Sequence, residues 1–144
     1  MRDALAARGI KLAPERVLEK FYSLASGRDG LRTLMSSAQP PTVVICGNDV
    51  LAIGAIAECN TLGITVPQEV SVTGFDDMEI ASLLSPGLTT VRFPTTELGQ
   101  LAAAHLLSRL SGKKVAWQHE LRVELIVRGT TVPPARAQLR RAQR

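Results

Sequence analysis

Apolar residues along this chain fall into two alternating patterns: short β-branched runs, and longer stretches at helical spacing. Arg2 to Arg8 reads as a short helix stopped by Gly9, a residue free to take the left-handed cap. Val17 to Tyr22 reads as a strand. In SGRDGLRTLMSS, Leu31, Leu34 and Met35 share one helical face, with Ser26 and Gly27 as helix-start residues. Gln39-Pro40-Pro41 then breaks the chain.

Thr42 to Cys46 does not alternate, which suits a central parallel strand covered on both faces. Val50 to Leu62 predicts a helix, apolar almost all round and closed by Gly63. Val70 to Phe75 predicts a second buried strand. Met78 to Leu84 predicts a helix ended by Ser85-Pro86-Gly87, and Leu88 to Arg92 a strand stopped by Pro94. Thr95, Thr96 and Glu97 open a long helix to about Leu110, with Leu98, Leu101, Ala102, Leu106 and Leu110 in one stripe. Gln118 to Arg128 has mostly period two, which predicts an edge strand with one wet face. Strand and helix in regular alternation imply α/β architecture on a parallel sheet.

Length adds that the 144 residues make one ordinary domain or a piece of a larger one. A composition of 45% hydrophobic and 21% charged residues belongs to a globular chain and excludes the disordered and membrane classes. No apolar run approaches the roughly 18 residues that would suggest a bilayer span. MRDALAARGI has no apolar signal core, so a cytoplasmic protein is expected, with Cys46 and Cys59 as buried, reduced thiols. Formal charge is +4, and four arginines with no acid lie in PPARAQLRRAQR. That tail is expected to be a solvated, partly disordered end. The alternative is a non-specific nucleic-acid contact, although no aromatic is interleaved for base stacking.

The candidate chemistry sits at two predicted strand tips. Asn48 and Asp49 follow the first, and Asp76 and Asp77 follow the second. In open parallel sheets, ligands bind beyond the carboxyl ends of the strands. Asp49 and Asp77 have an ordinary alternative role, capping the helices that follow. Asn48 and Asp76 come one residue earlier, and parallel pairing brings them close. Their oxygens accept and the amide also donates, a set suited to a polyhydroxylated molecule such as a sugar. Phe75 or Tyr22 could offer it a ring face. Adjacent Asp76 and Asp77 point in different directions, so paired acid–base work on a glycoside is disfavoured. His105 and His119 read as surface or boundary residues. Dinucleotide, phosphate-loop, nucleophile-elbow and zinc spacings are absent, so no enzyme, cofactor or metal is expected.

CGNDVLAIGAIAECNTLGITVPQEVSVTGFDD, followed by SPGLTTVRFP and ELGQLAAAHLLSRLSG, resembles the effector-binding core of LacI/GalR transcriptional regulators. The resemblance runs from Met1 to about Thr131. It implies a periplasmic-binding-protein-like fold, an incomplete two-lobed domain with a mostly parallel sheet flanked by helices. Residues 1–88 would form most of the C-terminal lobe, 89–115 the crossover strand and a first-lobe helix, 116–131 a returning strand, and 132–144 the basic tail.

The same resemblance implies a small effector, a sugar or related metabolite, bound between the lobes. It also implies a homodimer, and operator DNA read by a helix-turn-helix headpiece outside these residues. Asp76 matches the effector-binding aspartate, Asn48 a polar contact, Tyr22 an aromatic contact, and Ile45 an apolar wall. Phe93 occupies a position that often carries a polar ligand contact. Ile53, Ala57, Leu83 and Leu84 match the dimer interface. The competing expectation is a stand-alone sugar-binding or dimeric assembly protein without DNA binding. With only part of the cleft supplied, the isolated chain should bind effector weakly; calorimetry showing submicromolar sugar affinity would contradict this.

Overall fold

The computed structural model describes residues 2–116 and 118–134; the predicted basic tail from residue 135 lies outside them. The elements are α1 (Arg2–Ala6), a 3-10 turn at Pro14–Arg16, α2 (Leu24–Met35), β1 (Val43–Ile45) and α3 (Asp49–Leu62). There follow β2 (Ser71–Thr73), α4 (Glu79–Leu83), β3 (Thr90–Arg92), α5 (Thr95–Leu110) and β4 (Glu124–Ile126).

β1 and β2 pair in parallel, with Val44 opposite Val72. Parallel bridges at Thr73–Thr89 and Asp76–Arg92 carry the sheet on to β3. β4 closes that side antiparallel, with Val91 opposite Leu125. The expected α/β fold with a mostly parallel sheet and an edge strand is therefore present. Its core gathers Leu31 from α2, Val44 from β1, Ala52, Ala55 and Cys59 from α3, and Val72 with Leu88 from the sheet side.

α2 and α3 approach unusually closely because glycine faces glycine. A Cβ on Gly27 would lie 2.2 Å from the Leu51 carbonyl oxygen, and one on Gly54 would lie 2.2 Å from the Leu24 carbonyl oxygen. Neither backbone could yield without separating the helices. A charged clamp completes the crossing: Arg28 Nε and Arg32 Nε donate to the buried carboxylate of Glu58 at 2.9 and 2.8 Å. The hydrogen bond from Arg32 outweighs burial and, together with Arg28, holds Glu58 below its usual range.

Several expectations are corrected. α2 starts at Leu24, where Ser23 Oγ accepts from Ser26 N at 3.1 Å. Gly27 is therefore a packing residue inside the helix and not its start. Residues 17–22 form no strand; Val17 and Leu18 are half-buried, and Phe21 and Tyr22 are exposed. Val43 and Ile45 of β1 are also exposed, so only the Val44 face of that strand is covered. The α5 helix spans the expected residues, but none of them is buried, and Leu106 and Leu110 are 61% and 76% exposed. On β4 and its flanks, Val123, Leu125 and Val127 face solvent, and so do Arg122 and Glu124 on the other face, where only Ile126 and Arg128 are half-buried.

Gly27→Ala and Gly54→Ala should each destabilise the fold by about 1–3 kcal/mol or more, the range for overpacking a tight core. Gly30→Ala should be neutral or stabilising, since its new methyl meets only Leu18 Cδ1 at 3.8 Å and helix propensity improves. Urea unfolding of the three variants checks this contrast.

Candidate functional site

The tips of β1, β2 and β3 lie side by side because backbone groups link them. Asp49 N donates to the Phe75 carbonyl at 2.8 Å, and Asp76 N donates to the Val91 carbonyl at 3.0 Å. Four polar residues sit on these tips, and each has a different fate.

Asn48 caps α3: its Oδ1 accepts from Leu51 N at 2.9 Å, and the residue is only 9% exposed. The cap expected of Asp49 is thus performed one residue earlier. Asp49 is fully buried at the first turn of α3 and reaches sideways. Its Oδ2 accepts from Met78 N at 2.7 Å and its Oδ1 from Thr90 Oγ1 at 2.6 Å. A Cβ on Gly74 would collide with that Oδ1 at 2.2 Å, so glycine is required beside the carboxylate.

Asp77 does not cap α4, whose cap residue Met78 offers no side-chain acceptor. It joins two arginines instead, Arg92 Nε at 2.8 Å and Arg128 Nη2 at 2.6 Å. Burial acts to raise its carboxyl, but the hydrogen bonds and charges of Arg128 and Arg92 prevail and hold it below the usual carboxylate range. Asp76 is exposed, and among the described residues its carboxylate has no hydrogen-bond partner. Partial burial, and then the nearby Asp49 charge, push its carboxyl upward. Its φ of 110° lies outside the left-handed well that Asp77 occupies at 51°. Such outliers cost about 1–3 kcal/mol and cluster at functional sites.

The other predicted site residues fall around these tips. The Tyr22 ring rests beside Gly47, where a Cβ would meet its phenolic oxygen at 3.3 Å, immediately before Asn48. Ile45 is exposed on β1. Phe75 and Phe93 form a tilted ring pair with centroids 6.4 Å apart. Phe93 lines an open cleft of about 690 Å3 together with Asp76, Asp77, Arg92, Arg122 and Glu124. Tyr22, Asn48 and Ile45 are not among the residues lining that cleft.

Two contributors escaped the sequence reading. Arg128 reaches Asp77 from 51 positions away. Thr130, fully buried, donates its hydroxyl to the Val72 carbonyl at 2.7 Å and accepts from Thr89 N at 2.9 Å. No local pattern marks a residue whose partners are so distant. His105 and His119 do meet, edge to face at 4.3 Å between centroids, away from the acidic tips. Burial pushes the thiols of Cys46 and Cys59 up to about 12 and about 11, so both are protonated at neutral pH. Among the described residues, no group of three or more His, Cys, Asp or Glu side chains is placed to hold a metal ion. No helix among them is long and apolar enough to cross a membrane.

Asp77 should make stability pH-dependent. Its folded-state pKa is depressed, so its contribution is complete above the unfolded value of about 3.9 and disappears as pH falls through the folded value. The stability gap between wild type and Asp77→Asn should hold steady near neutral pH and close below about pH 4. Urea unfolding across pH measures it. Asp49→Ala strands the Met78 amide and the Thr90 hydroxyl, and should cost about 1–3 kcal/mol for each group left buried without a partner.

Comparison with known proteins now places the chain. Residues 1–131 match the model of the periplasmic binding protein-like domain. The HTH-type transcriptional repressor CytR of Escherichia coli (strain K12) is 34% identical over 130 residues, which are 90% of this chain and 38% of that repressor. This sequence therefore spans well under half the length of such relatives. The structure of a putative transcriptional regulator LacI from Bacillus cereus subsp. cytotoxis NVH 391-98 superposes with a TM-score of 0.86 at 29% identity, covering 90% of this chain and 46% of that one. The transcriptional regulator CelR–cellobiose complex superposes with a TM-score of 0.82 at 28% identity, covering 90% and 40%. The chain belongs to the periplasmic-binding-protein-like domain family, and what it contains is part of the effector-binding domain of LacI-family transcriptional regulators.

Proposed function

We propose that this chain is the ligand-sensing and dimerising part of a cytoplasmic LacI-type transcriptional regulator and has no enzymatic role. The observation that carries the reading is the carboxylate of Asp76. Of the three acids at the strand tips, it alone is exposed and free of hydrogen-bond partners among the described residues, on a strained backbone beside an open cleft. Asp49 and Asp77 are consumed in holding the tips together. An acceptor so placed suits hydroxyl groups of a small polar metabolite, and one structural relative is a complex with cellobiose.

In this reading, residues 1–88 supply most of one lobe, and residues 89–131 cross to and return from the other. The leucines exposed along α5 then pack against the rest of that first lobe, since leaving several uncovered forfeits about 1.5–3 kcal/mol each. A second copy docks on α3 and α4 through Ile53, Ala57, Leu83 and Leu84; Ala57 and Leu83 are exposed, and Ile53 and Leu84 are half-buried. Operator DNA is contacted by a headpiece outside these residues. Ligand binds the closed cleft better than the open one. That difference, about 1–3 kcal/mol in coupling, shifts the spacing of the headpieces on DNA.

The test is a titration of the 15N-labelled chain with a panel of pentoses, hexoses and disaccharides. Shift changes should centre on Asp76 and its cleft neighbours, with an affinity weaker than micromolar. Asp76→Ala should weaken binding about tenfold or more, the loss of one hydrogen bond to a charged group. Perturbations that ignore the cleft, or that survive Asp76→Ala unchanged, reject the reading.

A further inference from the structure

Asp76 and Asp77 are consecutive, and they are the non-glycine residues with positive φ among those described, at 110° and 51°. Backbone so strained persists only where its surroundings over-determine it. The Asp76 carboxylate contributes nothing to that, since it has no hydrogen-bond partner among the described residues. Its neighbours do the holding. Asp76 N donates to the Val91 carbonyl at 3.0 Å, and Met78 N donates to Asp49 Oδ2 at 2.7 Å. Between them, Asp77 accepts from two arginines, at Oδ1 from Arg128 Nη2 at 2.6 Å and at Oδ2 from Arg92 Nε at 2.8 Å.

The two arginines are not equivalent. The Arg92 side chain is 53% exposed, and its further bond reaches Glu124, itself exposed. The Arg128 side chain is 19% exposed and anchored in several other ways. Its Nη1 donates to the Leu88 carbonyl at 2.8 Å, and its backbone N donates to Thr89 Oγ1 at 2.9 Å. Gly87 lets it lie close, since a Cβ there would meet Arg128 Cδ at 3.2 Å. An exposed ion pair contributes little, whereas a shielded, charge-assisted hydrogen bond is strong. We infer that Arg128 is a positioning residue for Asp76: acting through Asp77, it holds the turn that keeps the Asp76 carboxylate at the cleft. The inference rests on the cleft beside Asp76 being the ligand site. It makes that site depend on distant chain. Arg128 lies 51 positions beyond Asp77, so Asp76 is set only when the chain leaving β4 is docked beside Leu88 and Thr89.

The test is 15N NMR of this chain and its Arg128→Met, Arg128→Lys and Asp77→Asn variants. Two readouts need no ligand: the HN–Hα coupling of Asp76, which reports its φ, and hydrogen exchange of the Asp76 amide. In Arg128→Met the coupling should move toward the extended-backbone value. Exchange at Asp76 should rise about tenfold or more, while Ala55 inside α3 keeps its wild-type rate. Arg128→Lys, which keeps the charge, should fall between the two and serves if the methionine variant folds poorly. In an Asp77→Asn background, Arg128→Met should have a much smaller effect at Asp76, because the charged partner is gone. Exchange that rises alike at Ala55 and Asp76 marks a general structural role and overturns the inference, as does an Asp76 coupling unchanged by Arg128→Met. A second arm titrates ribose, glucose and cellobiose into wild type and Arg128→Met. A probe that shifts Asp76 in wild type should bind the variant about tenfold more weakly. Equal affinity overturns the inference and leaves the Asp76 site standing. Absence of any effect at the wild-type cleft from all three probes overturns both.

Discussion

The buried carboxylate of Asp49 is the constraint on which the rest of the arrangement turns. It sits at the start of α3, where unpaired backbone amides favour negative charge, and it is out of reach of water. A charge so placed must be matched by fixed donors. The amide of Met78 and the hydroxyl of Thr90 supply them, one from the chain after β2 and the other from β3. The three strand tips are thereby held in one relative position. Gly74 leaves the room this requires, because any side chain there would occupy the place of the carboxylate oxygen.

With the tips held, the neighbouring acids divide their tasks. Asp77 is drawn into the Arg92–Arg128 pair and ties the β2 tip to the chain leaving β4. Asp76 is left on a strained backbone between two committed carboxylates, facing solvent. Structural duty at positions 49 and 77 leaves Asp76 as the one acid of the three without a hydrogen-bond partner among the described residues. Arg92 is engaged by Asp77 and Glu124, while Glu97 and Arg122 also line the cleft.

Packing quality differs across the chain. The α2–α3 pair, the Val44 side of the sheet and Thr130 form a dense unit with no buried polar side-chain atom unpaired among the described residues. α5 and β4 expose their apolar residues instead. α5 buries none of its side chains although it is the longest helix described, so its apolar stripe is available to something outside these residues.

Sequence alone was enough for features whose cause is local. Hydrophobic period placed α3, α4 and α5 to within about a residue or two, and Gly63 marked the end of α3 because glycine takes positive φ cheaply. The motif order identified the family, and the alternation of strand and helix the parallel sheet. Features that depend on distant partners were decided only by the folded chain. Whether Asn48 or Asp49 caps α3 depends on Met78 and Thr90, and whether Asp77 is free depends on Arg128. The strand expected at residues 17–22 failed for the same reason: a β-branched or aromatic run becomes a strand only when a neighbouring edge pairs with it. Likewise, period two on β4 revealed alternation but not which face would be covered, because that depends on what packs against the sheet.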